Sequence, residues 1–176
     1  MTAPVTRRID VVRTYLELAS LDKLRAAREP AEAARITRRP HITPAEYIEV
    51  YSSVGGPWHW RDRLAWSAEN LQRYLDSPDV HVWTLHVGDD VAGFFELQRH
   101  HDDRAEIMYF GLATPFFGRG LGGWMLTRAV REAFALDVHR VILNTCTLDS
   151  PHALPNYLAR GFAIVREEHY TLETAG

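Results

Sequence analysis

Three runs in the middle of the chain alternate between apolar and polar residues: Val80 to Val87, Val91 to Gln98 and Arg104 to Leu112. Gly88-Asp89-Asp90 separates the first two and His100-His101-Asp102-Asp103 the last two, so the spacing predicts three consecutive antiparallel strands. Val11 to Leu18 has the same β-branched and aromatic character and reads as a first strand; Val141 to Thr147 and Phe162 to Thr171 read as two later ones. Between the strands the period lengthens. Thr43, Pro44 and Glu46 spell a capping box with proline at the first helical position, predicting a helix to about Ser52, before Gly55-Gly56-Pro57. Ser67 caps a second helix through Asp76, with Leu71, Tyr74 and Leu75 on one face. A third helix is expected from about Gly120 to Leu136, and a fourth from Ser150-Pro151 until Gly161 stops it. The order predicts a mixed α/β fold: a meander, then strand-helix-strand.

Length and composition narrow this picture. A chain of 176 residues, 46% hydrophobic and 24% charged, suits one globular domain over residues 1–176. Residues 1–40 would supply a first strand and a variable basic connector. That connector, Ser20 to Pro40, carries Lys23, Arg25, Arg28, Arg35, Arg38 and Arg39 interleaved with Glu29 and Glu32, and reads as a solvated segment more readily than as a polyanion site. Before Gly88 there are 12 basic and 11 acidic residues and after it 8 and 12, so neither half points to nucleic acid. The single cysteine, Cys146, excludes an internal disulfide and reads as a buried strand residue. With no apolar run resembling a signal peptide or a membrane span, a cytoplasmic protein is expected. Nineteen of the twenty basic residues are arginine, Lys23 being the exception, a bias better matched to codon usage than to a binding surface.

The most informative local feature is Phe117-Gly118-Arg119-Gly120-Leu121-Gly122-Gly123, between a strand and an amphipathic helix. Free N–H groups and the positive end of the helix dipole make such a turn a phosphate site; Arg119 would add a cation. Gly118, Gly120 and Gly123 satisfy G-x-G-x-x-G, yet Pro115 and two phenylalanines intervene after the strand and no acidic residue follows at the Rossmann distance. No lysine follows the glycines, so a P-loop fails as well.

With this turn the chain resembles the GCN5-related N-acetyltransferase superfamily. Phe117, Gly120 and Gly122 stand at the positions of its [Q/R]-x-x-G-x-[G/A] signature, with phenylalanine in place of the polar residue. Ala153, Tyr157 and Gly161-Phe162 reproduce its A-x-x-x-Y-x-x-x-G-F block, with Ser150 where many members have asparagine and Pro155 inside the expected helix. The resemblance implies a mostly antiparallel central sheet splayed between the fourth and fifth strands and flanked by helices, with acetyl-CoA as co-substrate in the gap. Phe110, Gly111 and Leu112 would bond the pantetheine arm through their backbone, residues Gly118 to Gly123 the pyrophosphate, and Ser150 would lie beside the cofactor.

The implied chemistry is transfer of an acetyl group to a primary amine, small molecule or peptide, by direct attack in a ternary complex. The amine must be neutral to attack, so a base is needed. The resemblance places a carboxylate, acting directly or through water, at Glu106; alternation would put Glu106, Met108 and Phe110 on one face, and Glu96 on the preceding strand is the reserve. Tyr157 is implied as the acid that protonates the departing thiolate; the bland alternatives are a surface carboxylate and a core tyrosine. The loop joining the first two helices lines the acceptor pocket in the family, so Trp58, His59 and Trp60 would either clamp an amine by cation–π contact or plug the sheet. Nine histidines, among them the pair His100-His101, form no metal-ligand motif, and no metal is expected. Such folds often pair, which implies a homodimer. The competing reading is a non-catalytic acyl-CoA-binding module.

Overall fold

A computed structural model describes residues 6–175. A seven-stranded sheet in the order β2-β3-β4-β5-β6-β1-β7 runs through them. The strands are β1 (Thr6–Leu18), β2 (Ala34–Arg38), β3 (Val80–Val87), β4 (Asp90–Arg99), β5 (Arg104–Leu112), β6 (Arg140–Cys146) and β7 (Ala163–Ala175). All neighbours are antiparallel except β5 and β6. Helices α1 (Pro44–Gly55) and α2 (Ala68–Leu75) cover one face, where Tyr47, Tyr51, Val54 and Leu71 meet Val82 and Phe94. Helix α3 (Leu121–Phe134) covers the other, where Met125, Leu126 and Val130 meet Phe95, Leu97, Ile107 and Leu143; α4 (Ala153–Ala159) brings Tyr157 into the same cluster. Among the described residues no helix is long and apolar enough to cross a membrane.

The caps behave as their residue types dictate. Thr43 and Glu46 form the reciprocal capping box of α1, and Ser67 accepts from the Asn70 N–H at the start of α2. Helix α4 begins at Ala153, not at Ser150-Pro151. Pro155 therefore falls in the first turn, where the missing N–H would have had no intrahelical partner, which removes its conflict with the helix.

The connector is the largest departure from the sequence reading. Ala34–Arg38 is an edge strand on β3, with Ala34 and Ile36 against the core. Its arginines alternate with these apolar residues and bind outward: Arg35 donates to the Gly88 carbonyl at 2.7 Å and Arg38 lies 2.8 Å from the His81 ring nitrogen. Charged residues blunt an edge strand against further pairing, so composition alone disguises it. Arg25 donates to the Leu158 and Ala159 carbonyls at the end of α4, and Arg39 pairs with Glu46. These cations serve internal contacts. The first strand also starts earlier than expected, at Thr6, and lies between β6 and β7.

Candidate active site

Pairing between β5 and β6 covers only Arg104↔Arg140, Ala105↔Val141 and Glu106↔Ile142. Beyond Glu106 the strands part, leaving the β6-facing N–H and C=O groups of β5 without a ladder partner; this is the splay expected between the fourth and fifth strands of the sequence reading, β5 and β6 once the edge strand is counted. The gap opens into a cleft of about 810 Å³ lined on its β5 side by residues Glu106 to Leu112. Gly111 is required by close approach: a Cβ there would lie 2.6 Å from Val54 Cγ1 of α1.

After β5 the chain enters the glycine turn. Gly118 and Gly120 have φ of 74° and 75°, a left-handed conformation that costs a residue with a Cβ roughly 1–2 kcal/mol. Gly120 is the N-cap of α3 and supplies no side-chain cap, so the first N–H groups of a 14-residue helix are left for another acceptor. Phe117, Gly118, Gly120, Leu121, Gly122 and Gly123 line the cleft; Ser150 does so from the opposite side, its Oγ accepting from the His152 N–H. Arg119 does not: its guanidinium pairs with Glu32 at 3.4 Å and lies over the Phe116 ring. The expected phosphate cation is thus turned toward the connector, and the cradle is a main-chain one.

A bulge corrects the expected alternation on β5. Tyr109 pairs with Glu96 but Ile107 with Leu97, leaving Met108 unpaired. The phase therefore changes: Ala105, Ile107, Phe110 and Leu112 face the α3 cluster, whereas Tyr109 joins the α1 cluster. Glu106 and Phe110 consequently point to opposite faces. Glu106 lines the cleft and sits 2.8 Å from His100 Nε2, a partner contributed by the β4–β5 hairpin.

Glu96, the reserve base, occupies a different setting. Its side chain is fully buried, with Oε1 accepting from Arg63 at 2.9 Å and Tyr74 at 2.5 Å and Oε2 from the Tyr47 hydroxyl. Arg63 is in turn surrounded by Trp66, Tyr74 and Tyr109 at 4.3–5.2 Å. Burial, then the Glu96 charge, holds both Tyr47 and Tyr74 far above the ordinary phenol range. Glu96 does not line the cleft; it ties α1, α2 and their loop to the sheet.

Tyr157 lines the cleft from α4 and packs edge-on against Phe110 and Phe162. Burial, with the Asp149 carboxylate as second cause, raises its phenol above the ordinary value and keeps it protonated. Core placement and access to the cleft, set against each other in the sequence reading, coexist.

The aromatic loop also divides its roles. Trp60 is a plug, tilted against Tyr51 and Tyr109, and its Nε1 donates to Asp149 Oδ1 at 3.3 Å across the cleft. Asp149 is held by Thr145 Oγ1 at 2.7 Å and the Cys146 N–H at 2.9 Å. Trp58, His59 and Trp60 all line the cleft, Trp60 from its plugged position and Trp58 stacked on Phe117 with centroids 6.3 Å apart. The residue that replaces the family's polar side chain thereby joins the aromatic loop to the cradle.

Sequence reasoning missed the His100–Glu106 contact, Asp149, and the wall made by Arg13, Asn144 and Tyr170, all on or beside the cleft. Only the first had a local signal, since a hairpin can bring residues six apart together. Cys146 is half-buried and cleft-lining, not enclosed in the core. Among the described residues no three His, Cys, Asp or Glu side chains come together to hold a metal.

Comparison with known proteins agrees with this fold. The chain is similar to a mycothiol acetyltransferase of Corynebacterium aurimucosum, 31% identical over 187 residues, covering 92% of this chain and 60% of that protein. A mycothiol acetyltransferase of Corynebacterium glutamicum is 27% identical over 95% of this chain and 54% of its own length. The chain thus spans little more than half of these relatives. Among solved structures, a GCN5-related N-acetyltransferase from Sphaerobacter thermophilus superposes with a TM-score of 0.66 at 15% identity, over 97% of this chain and 53% of that one. An aminoglycoside acetyltransferase from a soil metagenome gives 0.61 at 15%, over 72% and 86%. The model of the acetyltransferase (GNAT) family matches residues 47–162, from α1 to the end of the Tyr157 block, and the chain belongs to that family.

Proposed function

We propose that residues 1–176 form one acetyltransferase domain that moves the acetyl group of acetyl-CoA to a primary amine by direct attack in a ternary complex. The observation that carries the reading is the joining, in one cleft, of a side-chain-free cradle at the α3 N-terminus, an unpaired β5 edge, Glu106 and Tyr157. The cradle suits a pyrophosphate and the strand edge suits the amides of a pantetheine arm. The acceptor nitrogen attacks the thioester carbonyl and the carbon–sulfur bond breaks. Glu106, directly or through a water, takes the proton the amine must lose, and the Tyr157 hydroxyl protonates the thiolate. His100 orients the Glu106 carboxylate. Trp58 and His59 border the acceptor side, and Ser150 lies by the cofactor.

The acceptor is read as a small-molecule amine. The relatives' name places a mycothiol-related amine on the panel. A cytoplasmic location and a homodimer are carried with this reading. Incubation with acetyl-CoA and an amine panel while free thiol is followed tests it. Release above background that falls with Glu106→Gln and Tyr157→Phe is the expected result. CoA binding without release would instead leave a non-catalytic acyl-CoA-binding module.

A further inference from the structure

The cleft has a second wall that the proposed chemistry leaves unused. Leu16 and Leu18 of β1 pair with Leu143 and Val141 of β6, and all four face the α3 cluster. By alternation the pairs Arg13↔Cys146 and Tyr15↔Asn144 face the opposite side. Arg13, Asn144 and Tyr170 line the cleft there, away from the cradle at the start of α3. Arg13 is therefore not placed to serve the cofactor phosphates.

Its guanidinium lies over the Tyr170 ring, 5.6 Å from the centroid, and is otherwise sparsely partnered. Nη2 donates to the Tyr170 hydroxyl at 3.2 Å, Nε is buried with no partner, and among the described residues no carboxylate lies within ion-pair distance. Glu168, directly across in register, accepts instead from the Tyr15 hydroxyl at 2.9 Å. The Asn144 side chain makes no hydrogen bond among the described residues. Arg13 is the only arginine or lysine among the described residues lining the cleft, whose other formal charges are Asp62, Glu106 and Asp149.

From this distribution we infer that Arg13, Asn144 and Tyr170 form a subsite for an anionic group, carboxylate or phosphate, carried by the acceptor amine. The inference rests on the acetyl-transfer reading. A guanidinium without a carboxylate partner offers charge-assisted donors that suit such a group, and Asn144 supplies a further donor. The arrangement also orients the acceptor: its ammonium faces the carboxylates and its anion faces Arg13, whereas the reverse pose sets like charges together. Arg13 and Tyr170 both lie outside residues 47–162, so two of the three groups on this wall come from parts the family match does not cover.

Matched amine pairs test the subsite: an amino acid against its amide, and an amino-sugar phosphate against the unphosphorylated amino sugar. For each pair, kcat/KM is read from thiol release, and affinity for the CoA-loaded protein is read by calorimetry. The expected result is a preference of roughly tenfold or more for the anionic member of at least one pair, collapsing toward unity in Arg13→Gln through KM. Tyr170→Phe, which removes the hydroxyl that holds the guanidinium, should reduce the preference in part. CoA affinity is measured on both variants to establish that they fold, and the less intrusive Tyr170→Phe carries the test if Arg13→Gln does not. Preference in only one pair separates carboxylated from phosphorylated acceptors. Equal use of both members by the wild type, or a preference untouched by the variants, overturns the subsite. If no amine is acetylated, the acetyl-transfer reading fails, and the calorimetric ratio still decides the subsite.

Discussion

Glu96 and Arg63 give a sharp test of which carboxylate serves the cleft. Their side chains are 0% and 7% exposed, and the pair is 2.9 Å apart with two tyrosine hydroxyls on the same carboxylate. Arg63→Met leaves that carboxylate in the interior without its counter-charge, a change that costs about 3–5 kcal/mol. In a chain of this length each kcal/mol moves Tm by about 2–4 °C, so the midpoint should fall by roughly 6–20 °C. Glu96→Gln removes the charge but keeps the shape; it should lie toward the lower end, because the three rings around Arg63 still hold the guanidinium. The double variant should recover part of the sum, with a coupling of about 1–3 kcal/mol. Calorimetry gives the midpoints, and thiol release at 20 °C gives turnover of the folded protein. Glu96→Gln should retain kcat within a few-fold. A folded Glu96→Gln protein with wild-type midpoint and turnover reduced a hundredfold would refute the structural role and return Glu96 to the chemistry.

Other expectations are read from the same assays. Acetyl-CoA at a hundred times its Kd should stabilise the protein by about 2.7 kcal/mol, and Gly120→Val, which forces a β-branched residue into a φ of 75°, should erase most of that shift. Tyr157→Phe should lower kcat by about 10²-fold or more while CoA affinity, measured by thermal shift, stays within twofold. Since burial and Asp149 raise the Tyr157 phenol above its ordinary value of 10, the proton-donating form is complete below that value and is lost only as pH rises past the raised one. A descending limb of kcat below pH 10 that vanishes in Tyr157→Phe would contradict the raised phenol, though not the acid role. His100→Asn, which removes the 2.8 Å contact to the Glu106 carboxylate, should lower kcat with little change in CoA affinity, and an unchanged kcat would deny His100 a part in orienting Glu106.

What the sequence disclosed depended on how local each signal was. The caps at Thr43 and Ser67, the three-strand meander and the glycine turn each lie within a few adjacent residues, and each appears where the pattern places it. The β2 strand was hidden because its outward residues are arginines that look solvated until Gly88 and His81 are beside them. The bulge at Met108 was hidden for another reason. Strict alternation has no local mark for an extra residue, and a single unpaired position reverses the face of everything after it. Glu96 looked like a base because a carboxylate on a strand beside the cleft looks alike whether it is free or enclosed. Only the arrival of Arg63, 33 residues earlier in the chain, distinguishes the two.

The same distinction separates the two halves of the cleft. The side proposed for the cofactor offers backbone: φ values at Gly118 and Gly120, an uncapped helix start and an unpaired strand edge. Such a site tolerates phenylalanine at position 117 and the loss of Arg119 to Glu32, because neither side chain supplies the N–H groups. A family motif can then persist through departures that would destroy a side-chain site. The acceptor side has no such protection. Its groups come from β1, β6, β7 and the α1–α2 loop, brought together only because β1 lies between β6 and β7 and the sheet parts beyond Glu106. On the inferred subsite, a substitution at Arg13 or Asn144 would change what is recognised while leaving the cradle intact, so acceptor identity would be sought in residues the family signature does not contain.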